Sequence, residues 1–213
     1  DPPRKAVLLI RDKDQKYLFE DYAGKTLLEH HIRFLKENSI KEIFLVTKTS
    51  GDFNASVFKI LKPGEVEVID EVASKGTAAA LNLLRSKLFG NFIVINADTF
   101  NDFNIKKMIS QHLKNQNMAT IGLISAPDPE KRGSVVLDGN YIVSFKEKQI
   151  HSNSNIISAG IYILNSRIFS LINLKRPSLE EDVFPILAKN RSAQGFFTFG
   201  KFLHIPDKMM EIP

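Results

Sequence analysis

The tightest constraint on how this chain can fold is an alternation. Short apolar runs that read as buried strands are separated by longer segments with one apolar face. Lys5–Ile10 (KAVLLI) is the first run, Glu42–Val46 the second, Val66–Ile69 the third and Phe92–Asn96 the fourth. Between the first two lies Thr26–Asn38 (TLLEHHIRFLKEN), with Leu28, Ile32 and Leu35 at helical spacing. Continuous apolar runs suit strands covered on both faces. Strands alternating with amphipathic helices predict α/β layers around a largely parallel sheet.

Local signals sharpen the boundaries. Thr26 and Glu29 have capping-box spacing, which predicts a helix start at Thr26, and Ser178 with Glu181 repeats the pattern. Lys75–Phe89 reads as a second helix with Thr77 as its N-cap and Gly90 as its stop. A helix near Ile105–Lys114 and a strand near Ala119–Ile124 follow. Ser134–Leu137 and Tyr141–Phe145 flank Asp138-Gly139-Asn140, a hairpin signal. Ser158–Leu164 and Phe196–Phe199 are the remaining strand-like runs. With no repeat or long linker, residues 1–213 are expected to form a single domain.

Composition removes several function classes. The chain has no cysteine, so disulfides, thiolate metal sites and cysteine nucleophiles are excluded. Twenty-nine Lys and Arg against 24 Asp and Glu give +5, a balance that suits an anionic ligand. The basic residues are scattered rather than blocked with aromatics, which argues against a nucleic-acid partner. No apolar run reaches membrane-spanning length, and DPPRKAVLLIRD lacks a long apolar leader core. A cytoplasmic, non-membrane protein is the expectation.

The fourth apolar run continues Asn96-Ala97-Asp98, which puts a carboxylate directly off a strand end. In open α/β sheets, ligands bind beyond the carboxyl ends of the strands, and helix N-termini at that rim favour anions. By position alone Asp98 either faces a ligand or caps the next turn.

Taken in order, GKTLLEHHIRFLKENSIKEIFLV, KGTAAALNLL, FIVINADTF, RGSVVLD, FKEK, ISAGIYIL and SLEEDVFPIL resemble successive blocks of the sugar-phosphate nucleotidyltransferases, across nearly the whole chain. The likeness is to the small single-domain type, such as the heptose- and mannose-1-phosphate members. It implies a GT-A-like mixed, mainly parallel sheet sandwiched by helices. It also implies that a nucleoside triphosphate and a sugar 1-phosphate are joined into a nucleotide sugar, with release of pyrophosphate. By the same resemblance Asp98 holds a catalytic Mg²⁺, Gly76 and Thr77 lie against the nucleotide, and Lys16 contacts phosphate. Gly133, Glu147, Lys148 and Ser158 take the sugar phosphate. The chemistry agrees: carboxylates accept from sugar hydroxyls, and lysine offers a compact charge to phosphate.

The sequence departs from the family pattern at three places. The glycine-rich loop that should follow the first strand is absent: KAVLLI runs into RDKDQK with no glycine before Gly24. If Lys16 is aligned correctly, that connection is roughly ten residues short. His204 stands where a second metal-binding aspartate is expected, with Asp207 nearby but out of register, and an imidazole is a poor Mg²⁺ ligand. Ser158 replaces an asparagine. The alternative to an enzyme is therefore a degenerate relative that binds a nucleotide sugar or serves as a partner subunit. A GT-A glycosyltransferase needs a D-x-D motif that Asp98 and Asp102 do not form, and histidines 30, 31, 112, 151 and 204 lack metal-ligand spacing.

Overall fold

The structure, a computed structural model, describes residues 1–71, 76–101, 103–125, 134–146 and 154–198, the backbone of 202–203, and His204. In chain order the elements are β1 (Lys5–Leu9), a 3₁₀ helix (Asp12–Phe19), β2 (Asp21–Tyr22), β3 (Lys25–Thr26), α1 (Leu27–Glu37), β4 (Glu42–Thr47), α2 (Gly51–Ile60) and β5 (Glu67–Asp70). Then come α3 (Thr77–Asn82), β6 (Asn91–Asn96), β7 (Thr99–Asn101), α4 (Ile105–Asn115), β8 (Ala119–Ser125), β9 (Ser134–Asp138) and β10 (Tyr141–Lys146). The last are β11 (Ile156–Asn165), a 3₁₀ helix (Ser166–Leu171), a π-helical turn (Leu179–Val183), α5 (Phe184–Lys189), β12 (Ala193–Phe197) and β13 (Phe202–His204).

Among the described residues nine strands form one sheet in the order β5-β4-β1-β6-β11-β8-β12-β10-β9. The pairings β5–β4, β4–β1, β1–β6 and β8–β12 are parallel, and those of β11 and β10 are antiparallel. So β11 and β10 run against the other strands, and the sheet is mixed and mainly parallel. The period-2 geometry of a strand sends alternate residues to opposite faces. Ala6 and Leu8 of β1 and Ile93 and Ile95 of β6 join one core, where they meet Leu28, Ile32 and Leu35 of α1 and Met108 of α4. Val7 and Leu9 with Phe92 and Val94 join the other, against Leu81 of α3 and Leu187 of α5. Both faces are thus covered, which explains the continuous apolar runs Ala6–Leu9 and Phe92–Ile95 within these strands.

The capping box at Thr26 forms as expected: the Glu29 amide donates to the Thr26 hydroxyl, and the Glu29 carboxylate accepts from the Thr26 amide. The second box forms with a different partner. Ser178 accepts from the Glu181 amide, but the Ser178 amide donates to Asp182, not to Glu181. A π turn carries more residues per turn than an α-helix, which moves the returning carboxylate one position along the chain. The helix expected over 75–89 is α-helical only at Thr77–Asn82, then tightens through bonds such as Leu83 N–H to Ala80 C=O. Thr77 is not its N-cap: Gly76 holds that position. The last expected strand starts earlier, at Ala193, and Phe199 lies outside the described residues.

Candidate functional site

Parallel pairing sets up the rim. Leu9 of β1 is in register with Asn96 of β6, so the residues two positions further on, Arg11 and Asp98, emerge side by side at the carboxyl ends. The Ala97 amide donates to the Leu9 carbonyl at 2.9 Å and extends that register past the strand. Arg11 Nη2 meets Asp98 Oδ2 at 2.5 Å, and its Nε meets Asp14 Oδ2 at 2.5 Å. The guanidinium therefore spans two carboxylates. Asp14 sits in the first turns of the 3₁₀ helix, which follows β1 where the glycine-rich loop was expected.

His204 arrives from the other side. Its strand β13 pairs antiparallel with β7, with His204 opposite Thr99, and Nε2 faces Asp98 Oδ2 at 3.6 Å. The Asp98 side chain is only 10% exposed. Burial pushes its carboxyl up, but His204 and Arg11 outweigh that and hold it below the ordinary carboxylate value. Below the rim, His31 of α1 is fully buried and Nε2–H donates to the Ala97 carbonyl at 3.2 Å. Burial lowers its pKa to about 4, so it is neutral at pH 7.

A second polar cluster centres on Glu180 in the π turn. Its Oε2 accepts from the Thr77 hydroxyl at 2.7 Å and its Oε1 from the Tyr162 hydroxyl at 3.2 Å. Asn96 Nδ2 donates to the Tyr162 oxygen at 3.2 Å, and Ser158 Oγ lies 3.4 Å from it. This ties α3, β6, β11 and the π turn together beside Asp98. Gly76 adopts φ +150°, and a Cβ there would lie 2.6 Å from the Pro177 carbonyl oxygen. That carbonyl accepts from the Ala78 and Ala79 amides at 2.7 and 3.2 Å. The N-terminal amides of α3, expected to face an anion, are thus turned to the protein's own backbone.

The structure brings together Asp98, His204, Gly76, Thr77 and Ser158 at this end of the sheet. It leaves Lys16 exposed on the 3₁₀ helix, its Nζ 4.9 Å from the centre of the Tyr17 ring. Gly133, Glu147, Lys148 and Asp207 lie outside the described residues. Sequence reasoning missed Arg11 and Glu180. Arg11 was findable, because an arginine just past the first parallel strand faces whatever lies just past its neighbour. Glu180 was read only as part of a capping pattern.

Magnesium prefers six oxygen ligands in near-octahedral geometry. Here Oδ2 of Asp98 is engaged by Arg11, and the next nearest titratable group is an imidazole. Among the described residues no three His, Asp or Glu are grouped to hold a metal. Among the described residues the donors at Asp98, one carboxylate paired with an arginine and facing an imidazole, are a poor match to the oxygen ligands that Mg²⁺ prefers.

Comparison with known proteins agrees with this fold. The model of a family described as nucleotidyl transferase matches residues 11–202. Mannose-1-phosphate guanylyltransferase 1 of Arabidopsis thaliana is 30% identical over 186 residues, covering 83% of this chain and 51% of the relative. The catalytic subunit beta of mannose-1-phosphate guanylyltransferase of Drosophila melanogaster is 29% identical, covering 87% and 52%. The chain thus spans about half the length of these relatives. Among solved structures, HddC from Yersinia pseudotuberculosis superposes with TM-score 0.79 at 24% identity, covering 95% of this chain and 93% of that one, which shows the fold. Among the described residues no helix is long and apolar enough to cross a membrane.

Proposed function

Because this chain belongs to the nucleotidyl transferase family, we propose that it joins a nucleoside triphosphate to a sugar 1-phosphate, releasing pyrophosphate and a nucleotide sugar. The observation that carries this reading is the family match across residues 11–202, with Asp98 at the ligand-binding rim that the fold provides. The sugar phosphate oxygen attacks the α-phosphorus in line, and the nucleoside keeps that phosphorus while pyrophosphate leaves. In such a reaction positioning and charge neutralisation do most of the work, so few groups need to change protonation. Gly76 and Thr77 lie against the nucleotide. Lys16 faces phosphate, and Gly133, Glu147, Lys148 and Ser158 take the sugar phosphate. These assignments rest on the family resemblance, as do a single domain over 1–213 and a cytoplasmic location. The names of the relatives make GTP with mannose 1-phosphate the first pair to try.

One observation favours a second reading, binding without turnover. The segment after β1 is short, and its Arg11 already occupies Asp98. The test is pyrophosphate release by the purified chain over a panel of nucleoside triphosphates and sugar 1-phosphates. Release that requires both substrates supports the transferase. Calorimetric binding of a nucleotide sugar with no release in any pair supports the binder and overturns the transferase.

A further inference from the structure

We propose that the Arg11 guanidinium takes the place of a divalent cation at Asp98, so that a nucleoside polyphosphate binds this rim without a metal ion held by that carboxylate. The nucleotide ligand is taken from the function proposed above; the claim about the carboxylate is independent of it.

The argument begins with placement. Arg11 reaches Asp98 because β1 and β6 are in parallel register, not because a flexible side chain has wandered there. Its position is then doubly fixed, since Nε is held by Asp14 while Nη2 is held by Asp98. Asp14 is buried in its helix, so the far end of the fork is anchored in the protein core. A guanidinium held by two carboxylates gives charge and direction together, as bidentate arginine contacts do. The Arg11 side chain remains 47% exposed, and the N–H groups it has not committed are available to an incoming anion. Arginine cannot be deprotonated at working pH, so the cation is permanent.

Access to Asp98 points the same way. A divalent ion bound through Asp98 Oδ2 would have to displace Arg11, whose Nη2 lies 2.5 Å from that atom. A phosphate oxygen meets no such exclusion, because it can approach the N–H groups of Arg11 that face neither carboxylate.

The experiment uses Mn²⁺ as a paramagnetic probe in place of Mg²⁺, on the full chain, followed by electron paramagnetic resonance. Wild type and Asp98→Asn are expected to bind Mn²⁺ alike, and weakly. Arg11→Gln, which frees the carboxylate, is expected to gain at least tenfold in Mn²⁺ affinity and to lose that gain when Asp98→Asn is added. Calorimetry with GTP is expected to give the same affinity in EDTA as in Mg²⁺, and Arg11→Gln should lower the EDTA value at least tenfold. The proposal is overturned if Asp98→Asn weakens Mn²⁺ binding by the wild-type protein, alone or with GTP present. Binding of GTP only when a metal is supplied overturns it equally. If Arg11→Gln does not fold by circular dichroism, the wild-type and Asp98→Asn comparison still decides. Should no nucleotide bind under any condition, the functional reading fails, and the Mn²⁺ titration alone rules on Arg11.

Discussion

Acidification from pH 7 to pH 5 is predicted to destabilise the fold through two buried histidines. His31 and His112 are 2% and 1% exposed. Burial lowers the pKa of each to about 4, against an ordinary value near 6.5. His31 donates to the Ala97 carbonyl, and His112 is held between Thr120 at 2.8 Å and Asn91 at 3.2 Å. Since the folded pKa lies below the unfolded one, the unfolded chain takes up the proton first as pH falls. The neutral-histidine stability is complete above pH 7, is lost through the window from 6.5 to 4, and falls no further below it. Linkage across that gap costs about 2 kcal/mol per histidine at pH 5, hence about 4 kcal/mol for the pair, a large share of a typical folding free energy. Urea unfolding followed by far-ultraviolet circular dichroism at pH 7, 6 and 5 measures this directly. His112→Gln should cost about 1 kcal/mol at pH 7 through its altered hydrogen bonds, yet lose roughly half of the pH slope. A free energy that stays flat from pH 7 to 5, or a His112→Gln variant with the full slope, would refute the reasoning.

Other perturbations probe the rim. Gly76→Ala places a methyl against the Pro177 carbonyl at a φ that side chains avoid, and should destabilise by about 1–3 kcal/mol in the same urea assay. Glu180→Gln turns an amide towards the Thr77 and Tyr162 hydroxyls and should cost about 1–3 kcal/mol. Adding Thr77→Val to it should then cost less than Thr77→Val alone, a non-additivity that a double-mutant cycle reads out. Asp98→Asn keeps the shape of the side chain but releases Arg11 from one of its two holds, so pyrophosphate release should fall at least 100-fold while the urea midpoint moves little. Lys16→Ala should also slow release strongly, and an unchanged rate would refute the alignment that placed Lys16 at phosphate.

What the sequence made legible was local or periodic. The Thr26–Glu29 box closes within one turn of chain, and the strands β1 and β6 declare themselves by continuous apolar runs of four residues. What it hid depends on residues far apart. Thr77 looks like a cap until the Pro177 carbonyl, brought from 100 positions away, takes the amides it would have served. The helix α2 escaped notice because its inward side is carried mainly by Phe53 and Val57, too few for a clear period, although Ser50 caps it through the Phe53 amide. Asp98 was visible as an acid off a strand end. Its actual partner was not, because the register of two parallel strands is a property of the sheet and is not written in either strand.

The order of strands also bears on how the chain is made. Among the described residues β12 is the last strand of the large sheet in sequence, yet it lies inside it, between β8 and β10. Until residue 197 has left the ribosome, β8 and β10 each present an open edge that another chain could occupy. The pairing of Ala193 with Ala119 joins positions far apart in sequence, and such contacts form slowly. A nascent chain stalled before Ala193 would therefore carry an open slot in the middle of its sheet. The protein is expected to depend on chaperone shielding during synthesis more than a fold whose strands pair in order of translation.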